Sequence, residues 1–437
     1  MKLTYLKTTL LSVTLLLFAS ASKAAENNST IVKDTSGATK PGAEAIKTNA
    51  PADTAWKPIR RLWGLAFGDF YYDAHSDAGG RGSETNYGGV PTYRNSFQFR
   101  RLYLGYDYDI SKKFTAVVLL ASEPNASTSV SGTTSIQNGD NLVDNKMAFY
   151  LKYAYIKIND IWPGTSLLLG EQPVNTWALT TETVSAHRWV ERTIVDMHKL
   201  GNSFDVGAGL QGTFDPTTKN FGYNFIIGNN EQAVLPSAAT ANTGFYKIFY
   251  GDIWAKLLDQ HIYLDAYGDY VKTAPATAAI GGQSHNMFKG IAAYSVPVFT
   301  IGVEAFTDNI TNGVTAVSGT TKTPTNATAT GVSIFTYGAI YKDKVGFFAR
   351  FDTYNPDHDF NQAYTYTVNT NLSSYNPYQK EKFYNAGIDF TPAPSVHLAP
   401  NIWLMDFNDQ RAPGSTGYLA NDHTLVYRLT FYYTFGK

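Results

Sequence analysis

The chain has 437 residues, 43% of them hydrophobic and only 16% charged, with 30 Tyr, 26 Phe and no Cys. The apolar and aromatic content excludes a disordered chain, and the lack of cysteine excludes a disulfide scaffold and Cys-ligated zinc or iron–sulfur centres. Balanced charge, 35 basic against 36 acidic residues, argues against a surface that coats nucleic acid.

Residues 1–24 read as a secretion signal. Lys2 and Lys7 precede an apolar run from Leu10 to Ala19, and small residues follow up to Ala24. That run is shorter than the roughly 20 apolar residues a membrane helix needs, so the reading is a cleaved signal rather than an anchor. Residues 25–58, rich in Ala, Thr, Asn, Lys and Pro, read as a polar periplasmic spacer. No later stretch is apolar enough for a spanning helix, and an exported chain can instead cross a membrane by closing a β-barrel.

Residues 59–437 carry the barrel signal: segments of about ten residues in which polarity alternates with period two. At 204–211, Phe204, Val206, Ala208 and Leu210 oppose Asp205, Gly207, Gly209 and Gln211. At 299–308, Phe299, Ile301, Val303 and Ala305 oppose Thr300, Gly302, Glu304, Phe306 and Asp308. At 345–352, Val345, Phe347, Ala349 and Phe351 oppose Gly346, Phe348, Arg350 and Asp352. At 424–435, Leu425, Tyr427, Leu429, Phe431, Tyr433 and Phe435 oppose Thr424, Val426, Arg428, Thr430, Tyr432 and Thr434. A soluble sandwich alternates too, but segments of 9–11 residues with aromatic ends match a tilted membrane crossing.

The connectors alternate between short and long. Short turns fall at 110–113, 159–164, 215–220, 257–260, 295–298, 341–344 and 392–395. Long loops fall near 74–95, 123–145, 172–203, 229–244, 272–286, 309–330, 355–380 and 408–422. They separate sixteen strands. The expected fold is therefore all-β: a 16-stranded antiparallel transmembrane β-barrel with long outer loops and short periplasmic turns, wide enough for an aqueous channel. One segment breaks parity. Phe97 and Phe99 lie on one face, while Leu102, Leu104 and Tyr106 lie on the other. A β-bulge at Arg100–Arg101 would keep the apolar residues outward and turn an Arg into the lumen.

On the inward parity sit the pore-wall candidates Arg100, Arg101, Lys152, Asp205, Glu304, Arg350, Asp352 and Arg428, with Asp265, Asp269, Asp308 and Asp389. The third long loop carries Glu182, Arg188, Glu191, Arg192 and Asp196, with a short helix expected over 184–197. Folded inward, those charges would select ions at a constriction. The carboxylates and histidine at Asp352, Asp357, His358 and Asp359 lack calcium-loop spacing and read as a polar loop. No GxSxG elbow occurs, so no catalytic residue, cofactor or metal site is assigned and the chain does not read as an enzyme.

Several segments resemble the Bacteroidetes outer-membrane porin-like family, which is related to the phosphate- and pyrophosphate-selective (O/P-type) porins. They are SFQFRRLYLGYDYDISKKFTAVV (96–118), LKYAYI (151–156), LGEQP (169–173), RWVERTIVD (188–196), DVGAGLQG (205–212) and RFDTYNPD (350–357). The resemblance implies a sixteen-stranded porin, usually a homotrimer, whose third loop folds into the pore. The expected function is passive diffusion of small hydrophilic solutes or ions through a water-filled channel in outer-membrane lipid. Two alternatives stand beside it: an anion- or phosphate-selective porin, which the mixed inward charge disfavours, and a plugged barrel serving as a binding platform.

Overall fold

The computed structural model describes residues 56–123, 128–130, 134–136, 140–141, 146–147, 149–230, 246–273, 278–369 and 375–436. The expected secretion signal, residues 1–24, and all but the end of the expected spacer, residues 25–58, lie outside these residues.

Sixteen strands run in chain order around a closed antiparallel ring. The first eight are β1 (Arg60–His75), β2 (Asn95–Asp109), β3 (Phe114–Ser122), β4 (Tyr150–Trp162), β5 (Thr165–Pro173), β6 (Phe204–Thr213), β7 (Phe221–Gly228) and β8 (Ile248–Leu257). The second eight are β9 (Ile262–Thr273), β10 (Gln283–Val296), β11 (Phe299–Ser318), β12 (Thr321–Tyr341), β13 (Val345–Asn355), β14 (Gln379–Ala393), β15 (Val396–Asp409) and β16 (Asp422–Phe435). The ring closes where β1 pairs with β16, from Gly64 opposite Phe435 to His75 opposite Leu425. Closure leaves no open strand edge, which a hydrocarbon environment requires. All seven short turns form, and the even strand number brings both chain ends to the short-turn side.

The barrel is inverted relative to a soluble protein. Outward residues such as Phe225, Ile253, Ile301 and Leu429 are exposed, while inward Asp205, Glu304, Asp308, Asp352 and Arg428 are buried. Exposed aromatics gather at both rims: Phe114, Trp162, Tyr341 and Phe435 on the short-turn side, Tyr72, Phe97, Phe249 and Tyr270 on the loop side. Such a belted apolar wall would be an aggregation hazard in water and is the surface a bilayer covers.

The bulge forms. Phe67 pairs with Arg101 and Gly68 with Phe99, so Arg100 is the extra residue and its side chain is buried in the interior. Two expectations fail. The long loop at 309–330 is instead a continuation of β11 and β12, whose tip turns at Gly319 with φ +59°. Its Thr- and Val-rich alternation suits a strand, Ile310, Val314 and Ala327 pack against Tyr366 and Tyr375, and the segment Thr365–Val368 pairs with β11 alongside. The single helix at 184–197 is two short pieces, α1 (Thr181–Ser185) and α2 (Ile194–Met197). Ala186, at φ 55°, ends α1 in the left-handed region, and Thr193 caps α2 by accepting from the Asp196 amide.

Candidate functional site

The third loop, residues 174–203, leaves the wall after β5 and returns at β6. Its base is tied by the Val174 amide donating to the Ser203 carbonyl at 3.0 Å. Between those points it makes contact with wall strands around much of the ring. Thr181 Oγ1 donates to Glu304 on β11 at 2.7 Å, and Lys289 on β10 reaches Thr180 and Thr181 at 3.0 and 3.1 Å. Tyr337 on β12 donates to the Val184 carbonyl at 3.0 Å, and Arg350 on β13 to the Arg192 carbonyl. From the far side, Arg100 on β2 donates to the Val190 carbonyl at 3.0 Å.

Apolar side chains follow the same course. Trp177, Ile194 and Val195 pack with Ile226, Tyr250, Tyr267, Met287 and Phe306 from β7 to β11. Trp189 stacks on Tyr432 of β16 at 5.3 Å, and Val190 packs with Phe67 and Phe348. Trp189, Val190, Ile194 and Val195 are all buried, which a solvated outer loop would not achieve. A small cavity of about 30 Å³ lies beside His187, Glu191 and Arg350.

Glu191 is the polar anchor. Its Oε2 accepts from Trp403 Nε1 at 2.9 Å and lies 3.3 Å from Arg428 Nη1. Burial pushes its carboxyl up, but Arg428, then Arg192 and Arg100, outweigh that and hold it at about 2. The opposite face of the loop is different. Arg188 bridges Glu182 and Asp196, each at 2.6 Å, and all three keep partial exposure. Arg101 and Lys152 on the β2–β4 wall pair with Glu123 at 3.2 and 2.9 Å, and they lie within electrostatic range of Glu182. Burial pushes Glu123 up, yet Arg101 and Lys152 hold it at about 2.

The residues expected from the sequence thus fall into two groups. Glu182, Arg188 and Asp196 lie within electrostatic range of Arg101 and Lys152, and together they form one partly exposed strip. Glu191, Arg100, Arg350 and Arg428 are engaged in anchoring the loop, and Arg192 donates to the Glu84 carbonyl at 2.7 Å. The inward bases are individually neutralised: Arg100 by Asp69 at 2.8 Å and Arg350 by Asp352 at 2.5 Å. Asp205 accepts from Tyr250 at 2.9 Å and from the Asn229 and Asn230 amides. Asp357 is buried and accepts backbone amides of Thr328 and Asp359, whereas His358 and Asp359 face solvent, so that group is a polar loop. Sequence reading missed Asp69, which pairs with Arg100, and Lys289, which reaches the third loop. Both lie on the inward parity of their strands, β1 and β10.

No protein-family model and no curated protein matches the sequence. Solved structures do match the fold. The outer membrane channel DcaP of Acinetobacter baumannii aligns with a TM-score of 0.56 at 12% identity, covering 86% of this chain and 97% of that one. An anion-selective porin from Comamonas acidovorans gives 0.53 at 11% identity, covering 87% and 100%. Salmonella typhi OmpF in complex with daunomycin gives 0.53 at 11% identity, covering 86% and 97%. At such identities the likeness is one of fold.

Proposed function

We propose that the chain is an outer-membrane porin through which small hydrophilic solutes and ions diffuse passively, with the third loop narrowing the lumen. The inverted barrel and the channel and porin folds it resembles support this reading. One observation carries the path. The charged face Glu182–Arg188–Asp196 keeps partial exposure opposite Arg101, Lys152 and Glu123, while the rest of the loop is packed against the wall. Solutes would pass along that strip, with the long loops outside the cell and the short turns, spacer and both chain ends in the periplasm after removal of residues 1–24. The assembly implied by the resemblance is a homotrimer, which light scattering of the detergent-solubilised protein would read.

Selectivity in this reading is weak, because the bases on both sides of the strip are paired with carboxylates. That pairing also disfavours the phosphate-selective alternative. The test is conductance in a planar bilayer under a salt gradient. Discrete steps with a small reversal potential are expected, shifting toward cations when Arg188 is replaced by Ala; an unchanged potential removes Arg188 from the path. Steps blocked by phosphate would promote the anion-selective reading.

A second reading is favoured by the tightness of the loop's packing: the lumen is plugged and the barrel serves as a platform. It predicts silence from the intact protein and steps once residues 178–198 are replaced by a short Gly-Ser linker.

A further inference from the structure

Three segments far apart in sequence meet behind the third loop. Glu84 comes from the loop after β1, His198 follows α2, and Glu381 opens β14. The His198 ring stands between the carboxylates, with Nδ1 3.9 Å from Glu84 Oε1 and Nε2 3.8 Å from Glu381 Oε2. One ring nitrogen and one oxygen from each carboxylate lie within 4.8 Å of one another. The ring is stacked on Tyr354 at 3.6 Å, which fixes its plane. The side chains of His198 and Glu381 are 6% and 3% exposed, that of Glu84 14%.

The cluster is short of positive charge. Among the described residues, no Lys or Arg forms an ion pair with either carboxylate. The nearby arginines are committed elsewhere: Arg81 to Asp77 at 2.6 Å, Arg350 to Asp352, and Arg192 to Glu191 and the Glu84 carbonyl. Gln379 donates to Glu381 Oε1, while Oε2 is buried, has no hydrogen-bond partner and faces the imidazole. Two buried carboxylates without a counter-ion are costly, so either a proton or a cation belongs between them. A neutral imidazole nitrogen with two carboxylate oxygens is a donor set for a divalent transition metal. Since one ion binds a single ring nitrogen, the three donors, now within 4.8 Å of one another, would close to the edge of a tetrahedron, about 3.4 Å for zinc.

We propose that Glu84, His198 and Glu381 form a three-ligand zinc-class metal site with a fourth position open to water, fastening the first and third loops to the barrel wall. The site stands independently of any solute path. A second cluster, His75, Asp422 and His423 at the barrel rim, is a weaker candidate: both rings face Asp422 Oδ1, at 2.8 and 3.6 Å, but that carboxylate already accepts from the Ala78 and His423 amides and the cluster is only partly buried.

The test is equilibrium dialysis of the chelator-stripped, folded full-length protein against Zn²⁺ at neutral pH, with heat-resistant migration confirming the barrel. One saturable equivalent is expected. It should be lost in Glu381→Gln and in His198→Ala and kept in His75→Ala/His423→Ala. Cobalt should give the intense visible absorption of a tetrahedral ion, lost in the same variants. If His198→Ala fails to fold, Glu84→Gln is read in its place with the same expectation. Absence of saturable uptake by the folded protein would mean that the carboxylates share a proton and would overturn the site. So would uptake that survives Glu381→Gln, or uptake lost on removing His75 and His423.

Discussion

Replacing Glu191 by Gln should release the third loop while leaving the barrel intact. The side chain is buried, with Trp403 and Arg428 on one oxygen and the Arg192 amide on the other at 3.0 Å. Its carboxyl is lowered from 4.5 to about 2 by Arg428, Arg192 and Arg100 against the opposing effect of burial. At about 1.4 kcal/mol per pKa unit, that difference is about 3 kcal/mol of charge-dependent anchoring. Gln keeps the size and loses the charge, so the detached form of the loop should become about 100-fold more populated. Trypsin reads that population, since cleavage at Arg188, Arg192 or Lys199 requires the open form. The expected result is faster cleavage within 188–199 in a barrel that still migrates as folded. Arg428→Gln should have a similar effect, and the double substitution less than the sum, because neither charge is then buried alone. Equal cleavage rates for the native protein and a folded Glu191→Gln variant would refute the anchor.

Acid should act through the same group. The depressed carboxyl stabilises the docked loop fully above about pH 4.5, and that contribution is lost as pH falls through about 2. Pepsin cleavage of the loop should therefore rise over that interval, and rise less in Glu191→Gln. Ile253, on the outer face of β8, is 54% exposed. Ile253→Arg should cost about 2–4 kcal/mol if it sits near the bilayer midplane, read as a lower urea midpoint in lipid vesicles. Gly207 and Gly290 should behave oppositely. A Cβ on Gly207 would sit 2.0 Å from the Ile227 carbonyl oxygen, whereas on Gly290 its nearest neighbour is 4.0 Å away. Gly207→Ala should lower the folded yield and Gly290→Ala should not.

The barrel was legible because strand after strand repeats one constraint, an apolar outward face on every second residue. That constraint also located the bulge, since only an extra residue at Arg100 reconciles the two parities of β2. It gave no purchase on the hairpin of β11 and β12, because the Thr- and Asn-rich composition there resembles that of a loop and its few apolar residues pack on Tyr366 and Tyr375, distant in sequence. The third loop was legible only in its content. Its charges were identified, but which of them face a wall depends on Trp403, Arg428 and Lys289, residues up to 237 positions away from their partners. The one-helix expectation failed because Ala186 takes a left-handed conformation that no local signal marks.

The division within the third loop bears on how the pore would discriminate. Its anchoring face is held by charge: Glu191 of the loop engages Trp403 and Arg428 of the wall, while Arg100, Arg350 and Lys289 of the wall donate to the loop. Such groups are fixed and present little free charge to a passing ion. The strip-facing charges are also paired, Arg188 with two carboxylates and Glu123 with two bases, so opposite signs alternate within a few ångströms of one another. At physiological ionic strength the screening length is about 8 Å, longer than those separations, so an ion in the strip feels neighbouring signs together. Their potentials largely cancel, and size and hydration become the stronger filter. A pore that discriminates by sign would leave bases unpaired on one side. Glu182→Gln with Asp196→Asn would create that state by freeing Arg188, and should shift the reversal potential toward anions. No shift, in a folded and conducting variant, would place the permeating ion away from Arg188.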